Sequence, residues 1–487
     1  MKNGHQRNGR PSAGPGGDAK FGEFFAEMAD LLEQGLIPAR VLNDPELYAL
    51  EKERLFARAW SFIGHESEIP EPGDYALRYI GEDPFIFSRD EVGEIHVLFN
   101  ACRHRGTQVC RVERGNTSHF RCPYHGWTYD NSGALIGMPA ARDASTGLDL
   151  TKWGLLEAPK MANLHGMVFA CLDDDAPSFD EYLGDMKYYL DMFFELNDNM
   201  EVMGDPTRWT QAANWKSGAE NFAGDDYHLI YLHRSMFEVD VIQIPFAANM
   251  LGHHVLPGNG HAIAVSVAEH PEELAYWGYP PEVTSKYDLS RLTDTQRDLA
   301  QRSRVLLGTV FPNLSMLTVP LTGNPHKNEP TAFTCLRLWQ PRGPATMEIW
   351  NWILVPKDAS PEFRMASYKA GMATFASGGL FDQDDAEPWQ SIARTGGSTF
   401  ARKAGMEFNY QQGLGIGSAR AIEGFPGPGL VFDHRYEEGN QRVIFERWLE
   451  YVSSAEYPAM TGAPTLHPRN GSQAGPPVRM KYGTPVT

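Results

Sequence analysis

Leu98-Phe99-Asn100-Ala101-Cys102-Arg103-His104-Arg105-Gly106 and, further on, Phe120-Arg121-Cys122-Pro123-Tyr124-His125-Gly126-Trp127 decide how this chain is read. Each stretch supplies one thiolate and one imidazole, and the 17 residues 105–121 separate His104 from Cys122. Two cysteines with two histidines also fit a structural zinc site. A zinc finger, however, brings its cysteines together first and its histidines later, whereas here each arm carries one of each. That order favours a two-iron cluster in which the thiolates hold one iron and the imidazoles the other, at a higher potential than an all-cysteine cluster has.

Such a centre is a Rieske [2Fe–2S] cluster, an electron carrier, and its surroundings agree. Gly106 and Gly126 let backbone N–H groups approach the sulfurs, and Tyr124 is expected to donate a hydrogen bond that tunes the potential. Lys+Arg number 43 and Asp+Glu 62, a net charge of −19, which disfavours nucleic acid or an anionic membrane as a main partner. No stretch is long and apolar enough to span a bilayer, and the N-terminus carries no apolar signal core. Cys110, Cys171 and Cys335 have no paired spacing and read as reduced thiols of a cytoplasmic protein, with Cys110 in a packing role.

Residues 1–20, rich in Gly, Asn, Arg and Pro, read as disordered. Over 21–59 two helices are expected, Ala26 to Leu36 and one capped by Asp44 that runs to about Ala59. From 60 to 175 short β-type runs (Tyr75–Ile80, Pro84–Ser88, Ile95–Phe99, Met167–Ala170) suggest a small all-β domain with both arms on turns at one tip. From 176 to 460 helical stretches (Tyr182–Phe194, Glu220–Met236, Pro361–Phe375) mix with strands at Ala262–Val267, Ser315–Val319, Phe333–Trp339 and Met347–Leu354. The fold class is therefore α+β, with the β domain ahead of a larger domain built on an antiparallel sheet surrounded by helices. Residues 461–487 read as an extended tail.

The larger domain carries a second set of metal donors. Glu220-Asn221-Phe222-Ala223-Gly224-Asp225-Asp226-Tyr227-His228 is followed five residues on by His233. Five is not a same-face helical spacing, so a helix here must be distorted or end between the two histidines. Taken alone, such a pair is more often packing or surface. A third donor is offered by Phe381-Asp382-Gln383-Asp384-Asp385, which also reads as a solvated loop or helix cap. Two histidines and one carboxylate form the facial triad of non-haem Fe(II) oxygenases, and a cluster on the same chain needs an electron acceptor.

With these motifs the chain, from about 40 to 460, resembles the large (alpha) subunit of Rieske-type aromatic-ring-hydroxylating dioxygenases, in the naphthalene and biphenyl group. The resemblance implies a cluster on Cys102, His104, Cys122 and His125, and a mononuclear Fe(II) on His228, His233 and Asp385, with Asp384, Asp382 and Asp226 as near misses. It implies that Asp225 links a cluster histidine to an iron-ligand histidine across a subunit interface. A ferredoxin with its reductase is then expected to deliver electrons, and O₂ to add to one face of an arene as a cis-dihydrodiol. A beta subunit in an α₃β₃ assembly is expected, although bare α₃ trimers also occur. Arg103, Arg105, Arg111, Arg114 and Arg121 offer a ferredoxin docking face or simply bond within the loops.

By the same register the substrate pocket comprises Asn221, Phe222, Asp226, Leu229, Val305, Leu307, Leu317, Phe375 and Phe381. That mostly apolar set suits a bicyclic or larger hydrocarbon. Asp226 stands where relatives place a small or apolar residue, so it turns away or makes the site partly polar. Arg234 pairs with Asp226, faces solvent, or holds a substrate carboxylate, in which case an aromatic acid such as phthalate is the substrate. Rieske monooxygenation or O-demethylation is the neighbouring reaction.

Overall fold

The computed structural model describes residues 16–139, 148–229, 231–239, 252–267, 275–322, 330–414, 422–432, 437–462 and 480–481. Two strands with long apolar runs, Thr331–Gly343 and Thr346–Pro356, form the central hairpin of a nine-stranded antiparallel sheet. Outward from Thr331–Gly343 come Leu314–Leu321, Ser303–Val310, His261–Val267, Gly252–Gly258 and the short Leu430–Val431. Met200–Val202 and Thr207–Gln211 pair with the other side of the hairpin. Every residue of Leu314–Leu321 and His261–Val267 is buried, so this sheet is covered on both faces. Helix Pro361–Thr374 packs on the hairpin, and helix Gly439–Ser453 packs on His261–Val267 and on the first helix.

Ahead of this domain lie three small sheets. Ile95–Phe99, Asp83–Arg89, Asp74–Ile80 and Arg114–Asn116 form one, and His119–Arg121, Thr128–Asp130 and Leu135–Gly137 another. The first arm leaves Ile95–Phe99, and the second is the hairpin loop between His119–Arg121 and Thr128–Asp130. Both are packed on a separate small core that includes Ile86, Leu98, Val109, Phe120, Tyr129 and Leu135. Ser61–His65, Met167–Cys171 and Lys160–Leu164 form the third sheet, whose side chains join the main core.

Three expectations change at the helices. The first helix runs Gly16–Glu33, so residues 16–20 belong to it rather than to a disordered end. Residues 1–15 lie outside the described residues, as does most of 461–487; Met480–Lys481 pairs in parallel with Ile422–Glu423. Asp44 caps a short helix, Pro45–Leu50, by accepting from the N–H groups of Glu46 and Leu47, but the chain then widens into i→i+5 turns over Glu51–Phe56. That change of pitch goes with a buried anchor. Glu51, 1 % exposed, pairs with fully buried Lys216 and accepts from Trp215 Nε1 and Trp448 Nε1 at 2.8 Å each. The third change, within 220–236, shapes the site itself.

Candidate metal centres and substrate pocket

The two arms share one turn geometry. Cys102 N–H donates to Thr107 O and Gly106 N–H returns to Cys102 O, at 2.8 Å each; Cys122 N–H donates to Trp127 O at 2.8 Å and Gly126 N–H to Cys122 O at 3.0 Å. Gly106 and Gly126 close these turns at φ +75° and +73°, conformations that other residues adopt only with strain. Cys102 and Cys122 are buried, and the His104 and His125 rings stand 4.4 Å apart. His104 stacks on Trp127 at 5.1 Å with the planes 6° apart. Nδ1 of both histidines is buried without a hydrogen-bond partner. Two buried thiols and two unsatisfied ring nitrogens on these paired turns form a donor set that suits a two-iron cluster.

The residue that contacts a sulfur is not Tyr124, which lies exposed at the loop tip. Fully buried Tyr129 places its hydroxyl 3.3 Å from Cys102 Sγ and accepts from Arg103 N–H at 3.0 Å. Tyr124 precedes a ligand on the outside of a turn, whereas Tyr129 returns on a strand beneath it. Arg103 bonds Gly154 O, and Arg114 pairs with Asp205; Arg105, Arg111 and Arg121 are exposed.

At the second site, helix Trp215–Asn221 is capped by Asn214 Oδ1, which accepts from Lys216 N–H at 3.0 Å. Gly218 lies against Trp339 so closely that a Cβ would fall 2.2 Å from the indole. The expected helix to Met236 ends at Asn221 instead. Gly224 takes φ +124°, an irregular segment carries His228, and a new helix, Arg234–Glu238, opens directly after His233. This break is what lets two histidines five apart converge, with ring centroids 5.0 Å apart.

Asp385 comes from helix Leu380–Gly396. Its Oδ1 lies 3.6 Å from His228 Nε2 and 3.3 Å from His233 Nε2, and one ligand atom from each residue falls within 4.8 Å of the others. Asp385 and His233 are 2 % and 1 % exposed. Burial disfavours a charged His228, yet Asp225, Asp385 and Asp226 around it raise its pKa to about 9, a negative field of the kind a cation neutralises.

The outer nitrogens lie near further carboxylates. Asp384 Oδ2 lies 3.2 Å from His233 Nδ1. Asp225 Oδ2 lies 3.4 Å from His228 Nδ1, an ion-pair distance without hydrogen-bond alignment. Asp382 instead forms a buried pair with Arg337 at 2.5 Å. Burial pushes the Asp382 carboxyl up, against the pull of Arg337, to about 6. Arg337 lies over Phe222 and Phe375, 4.8 and 5.6 Å from their ring centroids, and so braces the aromatic wall.

That wall belongs to a cavity open to solvent, with about 640 Å³ of free space counted out through its mouth. Asn221, Phe222, Asp226, Leu229, Val305, Leu307, Leu317, Phe375 and Phe381 all line it, together with Asp225, His228, His233 and Asp385; Val319 and Leu321 are additional members. Phe375 and Phe381 stack at 4.9 Å, and Phe381 meets the His233 ring edge-on at 4.7 Å. Asp226 is a buried member of this lining, and its Oδ2 lies 3.8 Å from Nε2 of fully buried His254. The Arg234 side chain is 77 % exposed and pairs with Glu238. Among the described residues no Lys or Arg lines the cavity.

A second cavity, also open to solvent and with about 1130 Å³ of free space counted out through its mouth, shares Asn221, Asp225, His228 and Asp385 with the first. Glu220, Trp389, Tyr410 and Glu438 also line it, and Tyr410 OH donates to Glu220 Oε1 at 2.8 Å. Desolvation holds the Glu220 carboxyl well above its usual range. Sequence reading missed this group, because Tyr410 and Glu438 arrive from distant segments.

A cysteine–histidine cluster domain joined to a two-histidine, one-carboxylate pocket defines the class of Rieske non-haem iron oxygenases. Residues 59–153 match the Rieske [2Fe–2S] domain, and residues 179–452 match the catalytic domain of ring-hydroxylating alpha subunits. The chain belongs to this family of ring-hydroxylating oxygenase alpha subunits, which use a [2Fe–2S] cluster and a mononuclear iron. It is 39 % identical to the N,N-dimethyl phenylurea N-demethylase alpha subunit of Sphingobium sp. (strain YBL2), over 87 % of this chain and 93 % of that one. It is 34 % identical to the biphenyl dioxygenase alpha subunit of Paraburkholderia xenovorans, over 87 % and 92 %. The crystal structure of naphthalene 1,2-dioxygenase from Rhodococcus sp., with indole bound, superposes with a TM-score of 0.84 at 43 % identity, covering 89 % of this chain and 99 % of that one. No helix among the described residues is long and apolar enough to cross a membrane.

Proposed function

We propose that this chain is the alpha subunit of a terminal oxygenase that cis-dihydroxylates an aromatic ring of two or more rings. The observation that carries the reading is the position of His228, His233 and Asp385 in the wall of a cavity otherwise lined mainly by Phe, Leu and Val. In this reading Cys102, Cys122 and Nδ1 of His104 and His125 hold the cluster, while Nε2 of His228 and His233 and the Asp385 carboxylate hold the iron. When bound, the two centres supply single electrons and the activation of O₂. The protein does the rest with its own groups. Asp384 fixes the His233 tautomer so that Nε2 stays free to ligate. Phe222, Phe375 and Phe381 hold a flat ring by burial and edge contacts and keep water from it.

In this reading Asp225, part-exposed and shared between the two cavities, receives a histidine from the cluster loop of a neighbouring subunit. This favours an α₃ or α₃β₃ assembly, with ferredoxin and its reductase as electron donors in the cytoplasm. Exposed Arg105, Arg111 and Arg121 around the cluster loops suit an acidic ferredoxin. A second reading, oxidative N-demethylation of an aryl substituent, is favoured by the demethylase relative and by Asp226 in the pocket.

A single turnover separates the two. The purified protein, with cluster and iron verified, is reduced anaerobically and exposed to O₂ with naphthalene, biphenyl or an N,N-dimethyl arylurea. A cis-diol from a hydrocarbon is the expected product. Formaldehyde from the urea without any diol would move the assignment to demethylation. No product from any of them would overturn the ring-oxygenase reading for this pocket.

A further inference from the structure

Behind the aromatic wall of the substrate cavity sits a charge that stability alone does not explain. Arg337, on strand Thr331–Gly343, is fully buried, and its Nη2 donates to Asp382 Oδ1 at 2.5 Å. Its Nε and Nη1, and Asp382 Oδ2, have no hydrogen-bond partner among the described residues. Burying such a pair costs desolvation that a well-packed apolar pair of similar volume avoids. What the guanidinium adds is direction, because its planar fork is rigid. Three elements meet on it. Phe222 caps the C-terminal end of helix Trp215–Asn221 and Phe375 that of helix Pro361–Thr374; the guanidinium lies over both rings, 4.8 and 5.6 Å from their centroids. Asp382 stands in the first turn of helix Leu380–Gly396, three residues ahead of Asp385 and on the same side of that helix. Asn351, the partner of Arg337 across the central hairpin, donates from Nδ2 to Phe375 O at 2.7 Å and holds the same residue by its backbone.

We propose that Arg337 is a positioning residue that fixes the aromatic wall against the helix carrying Asp385, and so sets which bond of an arene is presented for oxidation. Phe222 and Phe375 line the cavity whereas Arg337 does not, so it acts through them. A cation over a ring is worth most where water is excluded, as it is around this fully buried side chain. Rings held in place before a ligand arrives spare the arene the cost of ordering them. The bond presented rests on the oxygenase reading; the pre-ordered wall belongs to the pocket itself and is measured without turnover.

Biphenyl is the probe, since its 2,3 and 3,4 bonds can both be dihydroxylated. Arg337→Met alone would leave Asp382 as an unpaired buried carboxyl, so Arg337→Met/Asp382→Leu, which removes both charges, is the principal variant. Cluster absorbance and Tm report its folding. Binding of biphenyl to the anaerobic holoprotein, followed by calorimetry, should weaken about 5-fold or more, because two rings are then ordered on binding instead of beforehand. The ratio of minor to major diol should rise by about 10-fold, on the scale expected when reacting atoms are misplaced. Arg337→Lys, which keeps the charge without the planar fork, should fall between wild type and the double variant. A merely structural role would lower Tm and leave both the Kd and the diol ratio as in wild type, and that result overturns the proposal. A weaker Kd with an unchanged ratio overturns the claim about the bond presented. Biphenyl bound by the wild type without any diol removes the ring-oxygenase reading instead, and the pre-ordered wall then stands or falls on the Kd alone.

Discussion

Asp384 is one residue from the proposed ligand Asp385, and the structure gives it a different task, which a substitution can measure. Its Oδ2 lies 3.2 Å from His233 Nδ1, while Asp385 approaches Nε2 of the same ring at 3.3 Å. Carboxylates that hold the outer nitrogen of a metal-binding histidine are worth about 10- to 100-fold in metal affinity, or about 1.4–2.8 kcal/mol. Two observations place Asp384 at the low end. Its contact is longer than the 2.7–2.9 Å typical of a charge-assisted bond. Its side chain is also 31 % exposed, so water can take its place once it is removed. Asp384→Ala should therefore weaken Fe(II) binding by about 10-fold. Asp384→Asn, which keeps an acceptor oxygen, should recover part of that loss. The assay is anaerobic competition of the apo-site against a chelator of known affinity, with the visible absorbance of the cluster as an internal check on folding. An Fe(II) affinity within twofold of wild type in Asp384→Ala would refute the claim that this carboxylate orients His233.

Asp385→Ala should lose the mononuclear iron and keep the cluster, read by metal analysis beside the cluster absorbance; iron retained at full stoichiometry would remove Asp385 from the ligand set. Asp225→Asn should keep both centres and lose turnover, and full activity in that variant would exclude Asp225 as the link between subunits. Tyr129→Phe removes the hydroxyl 3.3 Å from Cys102 Sγ, which draws charge from the sulfur and so favours the reduced cluster. The midpoint potential should fall by about 40 mV, the one-electron equivalent of about 1 kcal/mol, and an unchanged potential would show the contact to be packing alone. His96 tests electrostatics in the cluster domain: burial opposes its charge, but Glu157 at 2.8 Å and Asp90 at 3.1 Å outweigh it and raise its pKa. A raised pKa gives stability that is complete below the ordinary value of about 6.5 and is lost as pH climbs through the folded value. His96→Gln should thus lower Tm most near about pH 6 and little near about pH 9, and equal losses at both would rule out charge as the cause.

How much of this the sequence discloses depends on how far apart the cooperating residues lie. The cluster arms are legible because each donor pair sits within one turn, and Gly106 and Gly126 announce the backbone conformation that closes it. The long sheet strands are legible from their apolar runs, although Thr331–Gly343 and Thr346–Pro356 extend past the expected 333–339 and 347–354. The stretch 220–236 is half legible. Its composition allows a helix and its His228–His233 spacing forbids one, and only packing decides where the chain gives way. Gly218 must sit on Trp339, which holds Trp215–Asn221 as a helix, and Gly224 at φ +124° then releases it. The acidic run shows the limit most clearly. Asp382, Asp384 and Asp385 look interchangeable in sequence, yet one pairs with Arg337, one meets His233 Nδ1 and one faces both Nε2 atoms. Their partners come from a strand some 45 residues upstream and a loop 151 residues upstream, so neither charge nor helical period distinguishes the three. Asp226 follows the same logic: its place in the cavity is set by the break at Gly224 and by His254 on a separate strand. The features common to ring-hydroxylating oxygenases are thus written locally, whereas the contacts that distinguish one carboxylate from the next are written in the packing.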